Sequence, residues 1–330
     1  MSESAGKSEG AEKTQFVADL AAGDSVDGLF LVTTKELRPF KDASKGEFLN
    51  LEITDRSGSI TARVWDNAAD IAAGFEVDDV VRVTGVVEEY AGALQVVATR
   101  VEAADSDSFK PEYFIAQTER DMEAMMADLD ALLESINDSD LAGLVETMFS
   151  NEAFRQAYVT APAAKRIHHS YLGGLLEHSL EVAAIVDTVC SIYGDSINRD
   201  LAVVGALLHD VGKLREYRYQ RSIDYTDRGR LHGHTVIGYE MIRSAINLTP
   251  GFPEELAQEL THIILSHHGQ MDWGAPVVPM TVEAGLVHYS DLLSGRVKQF
   301  EQHLAEGTGG GQGWTAFNRL LGRALYRGDR

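Results

Sequence analysis

The sequence has almost no cysteine and no long hydrophobic run. Its single cysteine, Cys190, excludes an internal disulfide and lies in an apolar stretch of helical periodicity, which favours a core residue in a reducing cytoplasm. No apolar run approaches the length of a membrane span, and the polar start at residues 1–13 is not that of a signal peptide. These absences predict a cytoplasmic protein without a membrane partner.

Basic residues are also scarce, since 29 lysines and arginines stand against 51 aspartates and glutamates, for a net charge of -22. A field of this sign repels a polyanion such as nucleic acid. The charge is uneven, however: residues 106–160 hold 12 acids and 3 bases, whereas residues 161–330 hold 19 and 16. We interpret the excess as an acidic solvated surface, with a second half that is close to neutral.

The length of 330 residues and the hydrophobic share of 44% suffice for two domains with separate cores. The pattern along the chain predicts five segments. These are a disordered tail at 1–13, an all-β domain at 14–105, a linker and helical connector at 106–160, an all-α domain at 161–306, and a Gly-rich segment with a C-terminal helix (314–326) at 307–330.

The all-β segment shows the two-residue alternation of half-buried strands. Leu49, Leu51 and Ile53 alternate with polar residues, a turn follows at 55–58, and a second alternating run begins at Ile60. The predicted elements are strands at 26–33, 49–54, 60–64, 80–88 and 94–101, with a short helix at 67–73 between the third and fourth strands. This order is that of an OB-fold barrel, which often binds single-stranded nucleic acid.

Three aromatic residues of the predicted barrel are candidates for stacking on nucleic-acid bases. They are Phe48, Trp65 and Tyr90, and each is at least as readily explained by packing within the barrel. Beyond the barrel the apolar period becomes helical, with predicted helices at 174–193, 200–209, 234–247, 254–268 and 281–303.

Histidines and aspartates recur at helix-length intervals in this second half, mostly within apolar stretches. Such side chains are costly to bury unless a positive charge lies between them. A pair of divalent metals explains all of them together, and metals of that kind activate water against phosphorus. The candidate ligands are His178, His209, Asp210, His234, His267, His268 and Asp291.

Lys213 follows the His209-Asp210 pair after a glycine, Gly212, which we expect to let the chain turn so that the lysine faces the metals. Asp210 and Lys213 are therefore the candidate catalytic residues. On local grounds alone, an exposed lysine after a helix end is an equally good interpretation. Asp291 lies one turn after His288, so either side chain can face inward.

A basic, tyrosine-containing stretch lies between two of the ligand segments. Residues 213–230 hold six bases and three acids and alternate like a short inserted hairpin, a composition that suits phosphate contacts and base stacking. A solvated charged hairpin is the competing interpretation. The predicted substrate-binding residues are Arg215, Arg218, Tyr219, Arg228 and Arg230, together with Arg166, His168 and His169 just before the first ligand helix, where a capping or packing role is equally plausible.

The series His, His-Asp and Asp, with further histidines between, resembles the HD superfamily of metal-dependent phosphohydrolases. Preceded by an OB-like barrel, it resembles the YhaM-type 3′→5′ exoribonucleases over nearly the whole chain. The motifs that carry the resemblance are FLNL at 48–51, DRSG at 55–58, ARVWD at 62–66, HHSYLGGLLEH at 168–178, HDVGK at 209–213, GH at 233–234 and SHHG at 266–269.

The resemblance implies a multidomain protein with an OB-fold barrel and an HD domain that carries a small inserted hairpin. It implies that His178, His209, Asp210 and Asp291 hold one metal, and that Asp210 bridges to a second metal. The second metal would be held by His234 and by His267, His268 or both. Mixed nitrogen and oxygen ligands favour manganese, iron, cobalt, nickel or zinc over magnesium, and manganese is the first choice.

The activity that the resemblance implies is removal of single nucleotides from the 3′ end of single-stranded RNA, and in some relatives DNA, by a homo-oligomer. Two alternatives stay open from the residues. The first is a phosphohydrolase of free nucleotides or cyclic dinucleotides that uses the same metals. The second is a nucleic-acid-binding factor with a structural or degenerate metal site, which retention of every expected ligand disfavours.

Overall fold

Five strands near the start of the chain close into a barrel in the computed structural model, which describes residues 13–42, 44, 46–105, 108–165, 169–306, 311 and 313–328. The order around the barrel is β1-β2-β3-β5-β4. The strands are β1 (Ser25–Pro39), β2 (Glu47–Asp55), β3 (Gly58–Val64), β4 (Val80–Tyr90) and β5 (Ala93–Ala103), and helix α1 (Ala68–Ala72) joins β3 to β4. The predicted OB-fold order is confirmed.

The alternation in the sequence corresponds to the inside and outside of this barrel. Leu49, Leu51 and Ile53 on β2 are fully buried, and the residues between them are partly exposed. In the antiparallel register of β2 and β3, Leu49 faces Val64 and Ile53 faces Ile60, so inward side chains meet in pairs across the two strands. Burial of these branched side chains provides the hydrophobic stabilisation of the barrel.

Strand β1 is longer than the prediction of 26–33. Its first half pairs with β4 and its second half pairs with β2, with a register shift between Val32 and Thr34. The second half carries charged side chains such as Lys35, whose Nζ donates to the carbonyl oxygens of Ala72 and Phe75. Strand pairing therefore continues beyond the point where hydrophobic alternation stops.

A buried ion pair ties the start of the described chain to the barrel. Lys13 Nζ lies 3.1 Å from Asp55 Oδ2 and donates to the carbonyl oxygen of Leu29 at 2.6 Å. Asp55 also accepts from Val17 N and from the N–H and hydroxyl of Ser57. The prediction that Lys13 belongs to a disordered tail is wrong, because these partners compensate the burial of its ammonium group. Residues 1–12 lie outside the described residues.

The residues after the barrel extend its packing. Tyr113 and Phe114 form a buried cluster with Leu29, Leu31 and Val80, although the sequence assigned them to a linker. By its internal contacts the chain divides into two units, residues 1–116 with 219–223 and residues 117–218 with 224–330. The first unit thus continues past the end of β5.

The second unit is built from helices, and most of them begin at residues with good capping chemistry. The side chains of Asp121, Asp138 and Asn198 each accept hydrogen bonds from backbone N–H groups at the helix starts. The helices are α2 (Met122–Glu134), α3 (Ser139–Phe149), α4 (Glu152–Thr160), α5 (Gly174–Tyr193), α6 (Arg199–Leu208), α7 (Lys213–Glu216), α8 (Asp227–Leu248), α9 (Glu254–Ser266) and α10 (Val282–Glu306).

Helix α8 differs from its prediction. Helix α8 begins seven residues before the predicted start at 234 and bends at Gly233, whose φ of 71° is outside the helical region. The predicted inserted hairpin is confirmed, since β6 (Tyr217–Arg218) pairs with β7 (Asp224–Tyr225). None of the helices in the described ranges combines the length and hydropathy that crossing a bilayer requires.

The predicted C-terminal helix at 314–326 is wrong. Instead, Thr315 N donates to the carbonyl oxygen of Leu325, and Asn318 N donates to that of Arg323. These bonds fold the segment back on itself, and Gly322 takes a φ of 65° that interrupts any helix. Residues 307–310 and 312 lie outside the described residues. The apolar spacing that suggested a helix reflects isolated buried positions such as Leu321.

Candidate metal centre

Seven side chains from five segments of the helical unit converge on one place. Helix α5 contributes one, the residues after α6 two, α8 one, the residues after α9 two, and α10 one. They are His178, His209, Asp210, His234, His267, His268 and Asp291. The structure therefore brings together every ligand that the sequence predicted.

Asp210 lies at the middle of this cluster and is 2% exposed. Its Oδ2 lies 3.3 Å from His209 Nε2 and 3.7 Å from His178 Nε2. Its Oδ1 lies 3.4 Å from His234 Nε2 and 3.6 Å from His267 Nε2. The two oxygens of a single carboxylate thus face two separate groups of imidazole nitrogens, as a bridging ligand must.

The first group comprises His178, His209 and Asp291. The Nε2 atoms of the two histidines are 3.2 Å apart, and Asp291 Oδ1 lies 3.1 Å from His178 Nε2. With Asp210, this group offers two nitrogens and two carboxylate oxygens at one point. Of the two candidates on α10, Asp291 faces the centre, whereas His288 points Nδ1 at the carbonyl oxygen of His267, 2.7 Å away.

The second group comprises His234, His267 and His268, and it includes both members of the adjacent histidine pair. His234 Nε2 lies 3.1 Å from His268 Nε2. His234, His267 and His268 each offer one nitrogen, and the three nitrogens lie within 4.8 Å of one another. Both histidines of the pair therefore contribute, because α9 ends at Ser266 and they follow in its terminal turn.

The other ring nitrogen of each histidine has a hydrogen-bond partner that orients the ring. His209, His267 and His268 direct Nδ1 at backbone carbonyl oxygens 2.7 to 2.9 Å away, and His178 directs Nδ1 at Ser294 Oγ, 3.2 Å away. A partner at Nδ1 leaves the Nε2 lone pair for a metal. Sequence reasoning did not identify Ser294.

Glu216 is a second residue that sequence reasoning missed. Its Oε1 accepts from the backbone N–H of His234 at 3.0 Å and lies 3.1 Å from His234 Nδ1. Burial raises the pKa of this carboxyl, but the hydrogen bonds from His234 and the charge of Lys213 bring it below its ordinary value. The only signal in the sequence was an acid within a basic stretch, six residues after Asp210.

Two buried polar atoms indicate that a cation fits this centre. Asp210 Oδ1 and His267 Nε2 are buried and make no hydrogen bond within the described part of the chain. A buried acceptor without a partner costs free energy, which a metal between these atoms would recover. The mixture of imidazole and carboxylate donors suits manganese, iron, cobalt, nickel or zinc.

The ionisation of the cluster also suits metal binding. Burial and the imidazoles of His267 and His234 lower the pKa of His268 to about 3, and burial lowers the pKa of His178 and His267, so these rings are neutral. Burial also lowers the pKa of His209, but the carboxylates of Asp210 and Asp291 outweigh it and raise the net value. A bound cation would oppose that protonation.

Lys213 lies inside the centre, as the sequence predicted. Its Nζ is 2.6 Å from Asp210 Oδ2, and although burial raises the pKa of Asp210, Lys213 and His209 hold it well below its usual range. Gly212 has an ordinary φ of -63°, so it is needed for close approach and not for a special turn. A Cβ at Gly212 would lie 1.9 Å from the carbonyl oxygen of His234.

His169 lies beside the centre. It is buried with a φ of 58°, its ring centroid is 5.1 Å from that of His178, and its Nε2 lies 3.3 Å from Glu181 Oε2. Glu181 accepts from Ser294 Oγ at 2.8 Å. Contact of His169 with substrate stays a prediction, and the predicted residues Arg166 and His168 lie outside the described residues.

The cations of the hairpin region mostly pair with acids. Asp224 lies between Lys165, Arg218 and Arg230, with distances of 2.6, 3.3 and 3.4 Å. Arg228 pairs with Glu240. Of the other two predicted residues, Arg215 is exposed, and Tyr219 belongs to the first unit. Their contact with substrate stays a prediction, and Lys165 is a partner that the sequence did not indicate.

The three predicted stacking residues lie near one another on the barrel. The rings of Phe48 and Trp65 are 4.9 Å apart, and the Arg63 guanidinium lies 5.9 Å from the Trp65 ring and 5.5 Å from that of Tyr90. Tyr90 is 63% exposed. Phe40, which the sequence did not single out, adds a fourth ring, whose centroid lies 5.4 Å from that of Phe48. Rings that are partly or largely exposed and lie beside an arginine can stack on bases.

Comparison with curated proteins places this architecture in a known family. The 3′-5′ exoribonuclease YhaM of Geobacillus sp. (strain WCH70) is 30% identical over 287 residues, which cover 86% of each chain. This chain belongs to the YhaM family. The YhaM of Listeria monocytogenes serotype 4b is 29% identical and covers 87% of this chain and 90% of its own.

Separate family models match the barrel and the helical part of the chain. A model described as an HD domain matches residues 175–296, one described as an OB-fold nucleic acid binding domain matches residues 31–104, and a helicase model matches residues 118–216. Among solved structures, the HD domain of the L. monocytogenes phosphodiesterase PgpH is 20% identical, covers 47% of this chain and 73% of its own, and has a TM-score of 0.29.

Proposed function

We propose that this protein is a metal-dependent 3′→5′ exoribonuclease that removes nucleoside monophosphates from the 3′ end of single-stranded RNA. A relative that matches 86% of the chain is named 3′-5′ exoribonuclease. The observation that supports the chemistry is the position of Asp210, whose two oxygens each face a different group of histidines. Asp210 would thereby be shared by two cations, one held with each group of histidines, and two such cations can act on a single phosphate.

Two divalent cations held there would lower the pKa of a water molecule, so that it loses a proton and becomes a nucleophile towards phosphorus. They would also supply positive charge for the phosphate oxygens. The residues of this chain would orient the metal ligands and neutralise negative charge on the substrate. Burial lowers the pKa of Lys213, but the Asp210 carboxylate outweighs it and raises the net value, so the ammonium stays charged beside the centre. Lys213 would stabilise negative charge on the departing oxygen.

We infer that manganese is the native metal. Five of the seven side chains offer nitrogen, which argues against magnesium, and two offer carboxylate oxygen, which manganese readily accepts. Among the metals that this donor set suits, the resemblance to the YhaM family favours manganese. The only cysteine, Cys190, lies on α5 outside the cluster. Its burial as a free thiol agrees with the proposed location of the protein in the cytoplasm.

The barrel would hold the single strand by stacking on Phe48, Trp65 and Tyr90, since its acidic composition offers little phosphate attraction. Stacking is tolerant of sequence, because every base has an aromatic face. We expect this contribution to be the same for RNA and DNA, because a stacked base makes no contact that reports the 2′-hydroxyl.

We also propose that the protein is a homo-oligomer. Helix α10 presents a stripe of exposed apolar side chains, Tyr289, Leu293, Val297 and Phe300, spaced three to four residues apart along one face. A contiguous apolar patch of this kind is typical of an interface between copies.

Sedimentation equilibrium of the full chain should show a dimer or larger assembly that Leu293→Asp dissociates, and a wild-type monomer at micromolar concentration would contradict the proposal.

The activity is tested by incubating the purified protein with manganese and three substrates: 5′-labelled single-stranded RNA, cyclic dinucleotides and free nucleotides. We expect an RNA ladder that shortens from the 3′ end and stops on chelation. Loss of only the small molecules would instead indicate a nucleotide phosphohydrolase. Binding of RNA without turnover would indicate a nucleic-acid-binding factor, and a series of metals in the same assay identifies the preferred cation.

A further inference from the structure

A cavity of about 430 Å³ adjoins the metal centre within the helical unit. His268 and Asp291, from the two metal-ligand groups, lie in its wall, so it opens directly onto the place where a phosphate would be cut. Its remaining wall includes Trp273, Leu292, Arg296 and Leu320. Its volume is at the lower end of the range of roughly 300–1,000 Å³ for pockets that enclose small ligands.

Trp273 has a fixed backbone and an accessible ring. Its carbonyl oxygen accepts from His268 Nδ1 at 2.9 Å, and its N–H donates to the carbonyl oxygen of Gln270 at 3.0 Å. The residue nevertheless is 47% exposed, and its ring centroid lies 6.4 Å from that of His288. A residue anchored to a metal ligand thus presents a large aromatic face to the cavity.

Arg296 supplies a positive charge to the same cavity. It is exposed, and its guanidinium donates to Gln299 Oε1 at 3.0 Å. Among the described residues it pairs with no carboxylate, unlike the arginines of the hairpin. A guanidinium of this kind keeps donors for acceptor atoms of a ligand.

We propose that this cavity binds the 3′-terminal nucleoside of the RNA, with the base stacked on Trp273 and with Arg296 donating to the base or the ribose hydroxyls. This inference rests on the proposed nuclease activity and assigns the binding site of the nucleotide that each cut releases. The phosphate on the 5′ side of that nucleoside then lies at the His268 and Asp291 end of the cavity. Binding of one terminal nucleoside there leads each cut to release a single nucleoside monophosphate.

The decisive experiment measures KM and kcat on single-stranded RNA, in the presence of manganese, for the full-length Trp273→Ala variant. Loss of base stacking should raise KM by about 5- to 150-fold. Trp273→Phe, which keeps an aromatic face, should stay within about threefold of wild type. Adenosine monophosphate should inhibit the wild type by occupying the cavity, and its inhibition constant should rise in Trp273→Ala in parallel with KM.

Trp314→Ala is the matched control, because Trp314 is 49% exposed and packs against Tyr326 outside the cavity wall. It should leave KM unchanged. Arg296→Ala provides a second variant on the surface of α10, where misfolding is not expected, and should raise both constants.

The outcomes separate this inference from the proposed function. If the wild type does not shorten RNA, the proposed function fails. If the wild type shortens RNA while Trp273→Ala and Arg296→Ala both retain wild-type KM and inhibition constants, the cavity assignment is overturned and the nuclease activity stands. A raised KM in Trp314→Ala equal to that in Trp273→Ala would also overturn it.

Discussion

Asp210→Asn is expected to reduce kcat on RNA by on the order of 10³-fold and to lower the bound metal below two ions per chain. An amide has one oxygen and no charge, and its NH₂ group cannot ligate a cation. One of the two imidazole groups that Asp210 now faces would therefore lose its shared ligand, and Lys213 would lose the carboxylate 2.6 Å from its Nζ.

The measurements are single-turnover RNA cleavage, metal content by mass spectrometry and circular dichroism for the fold. Asp200→Asn is the matched control, because Asp200 is also buried and accepts from the backbone N–H groups of Asn137 and Asp138. It should lower Tm while leaving two metals per chain. Full activity with two bound metals in Asp210→Asn would reject the bridging role.

Glu216→Ala is expected to weaken binding of the second metal by about 10- to 100-fold, the usual effect of removing a group that orients a ligand. Glu216 fixes His234 through two contacts, one to the backbone N–H and one to Nδ1. Without them the ring is free to turn Nε2 away from Asp210. Because the ligands themselves remain, raising the manganese concentration should restore kcat.

This rescue by metal distinguishes an orienting residue from a structural one. Glu216→Gln keeps an acceptor oxygen and should fall between wild type and Glu216→Ala. Glu254→Ala, which removes an exposed carboxylate 3.5 Å from Arg243, is the control and should bind both metals normally. Unchanged metal affinity in Glu216→Ala, measured by titration with manganese, would contradict the assigned role.

The barrel and the ligand series were predictable because both follow from local periods. Leu49, Leu51 and Ile53 alternate with polar residues as a strand does, and this alternation alone predicts a buried face. The histidines and aspartates of the centre lie within apolar helices or directly after them, where an isolated polar group is costly to bury. Spacing at helix length therefore indicates a common site from the sequence alone.

The hydrogen-bond partners of those ligands were not predictable in the same way. Ser294 lies 116 residues from His178 along the chain, and Glu216 lies 18 residues from His234. No period in the sequence relates positions so far apart. The prediction of a C-terminal helix was wrong because a local pattern was present but ambiguous. The apolar spacing of this segment fits a helix and also fits the folded-back chain in which Thr315 N donates to the carbonyl oxygen of Leu325.

The sequence by itself determined which residue types this protein can bring to a metal, because imidazole nitrogens and carboxylate oxygens are ligands of divalent cations and a buried carboxylate needs a positive partner. Tertiary structure alone decided that one oxygen of Asp210 faces His209 while the other faces His234, and that Trp273 lines a cavity beside them. These relations depend on the packing of α5, α6, α8, α9 and α10, which brings distant segments within hydrogen-bonding distance.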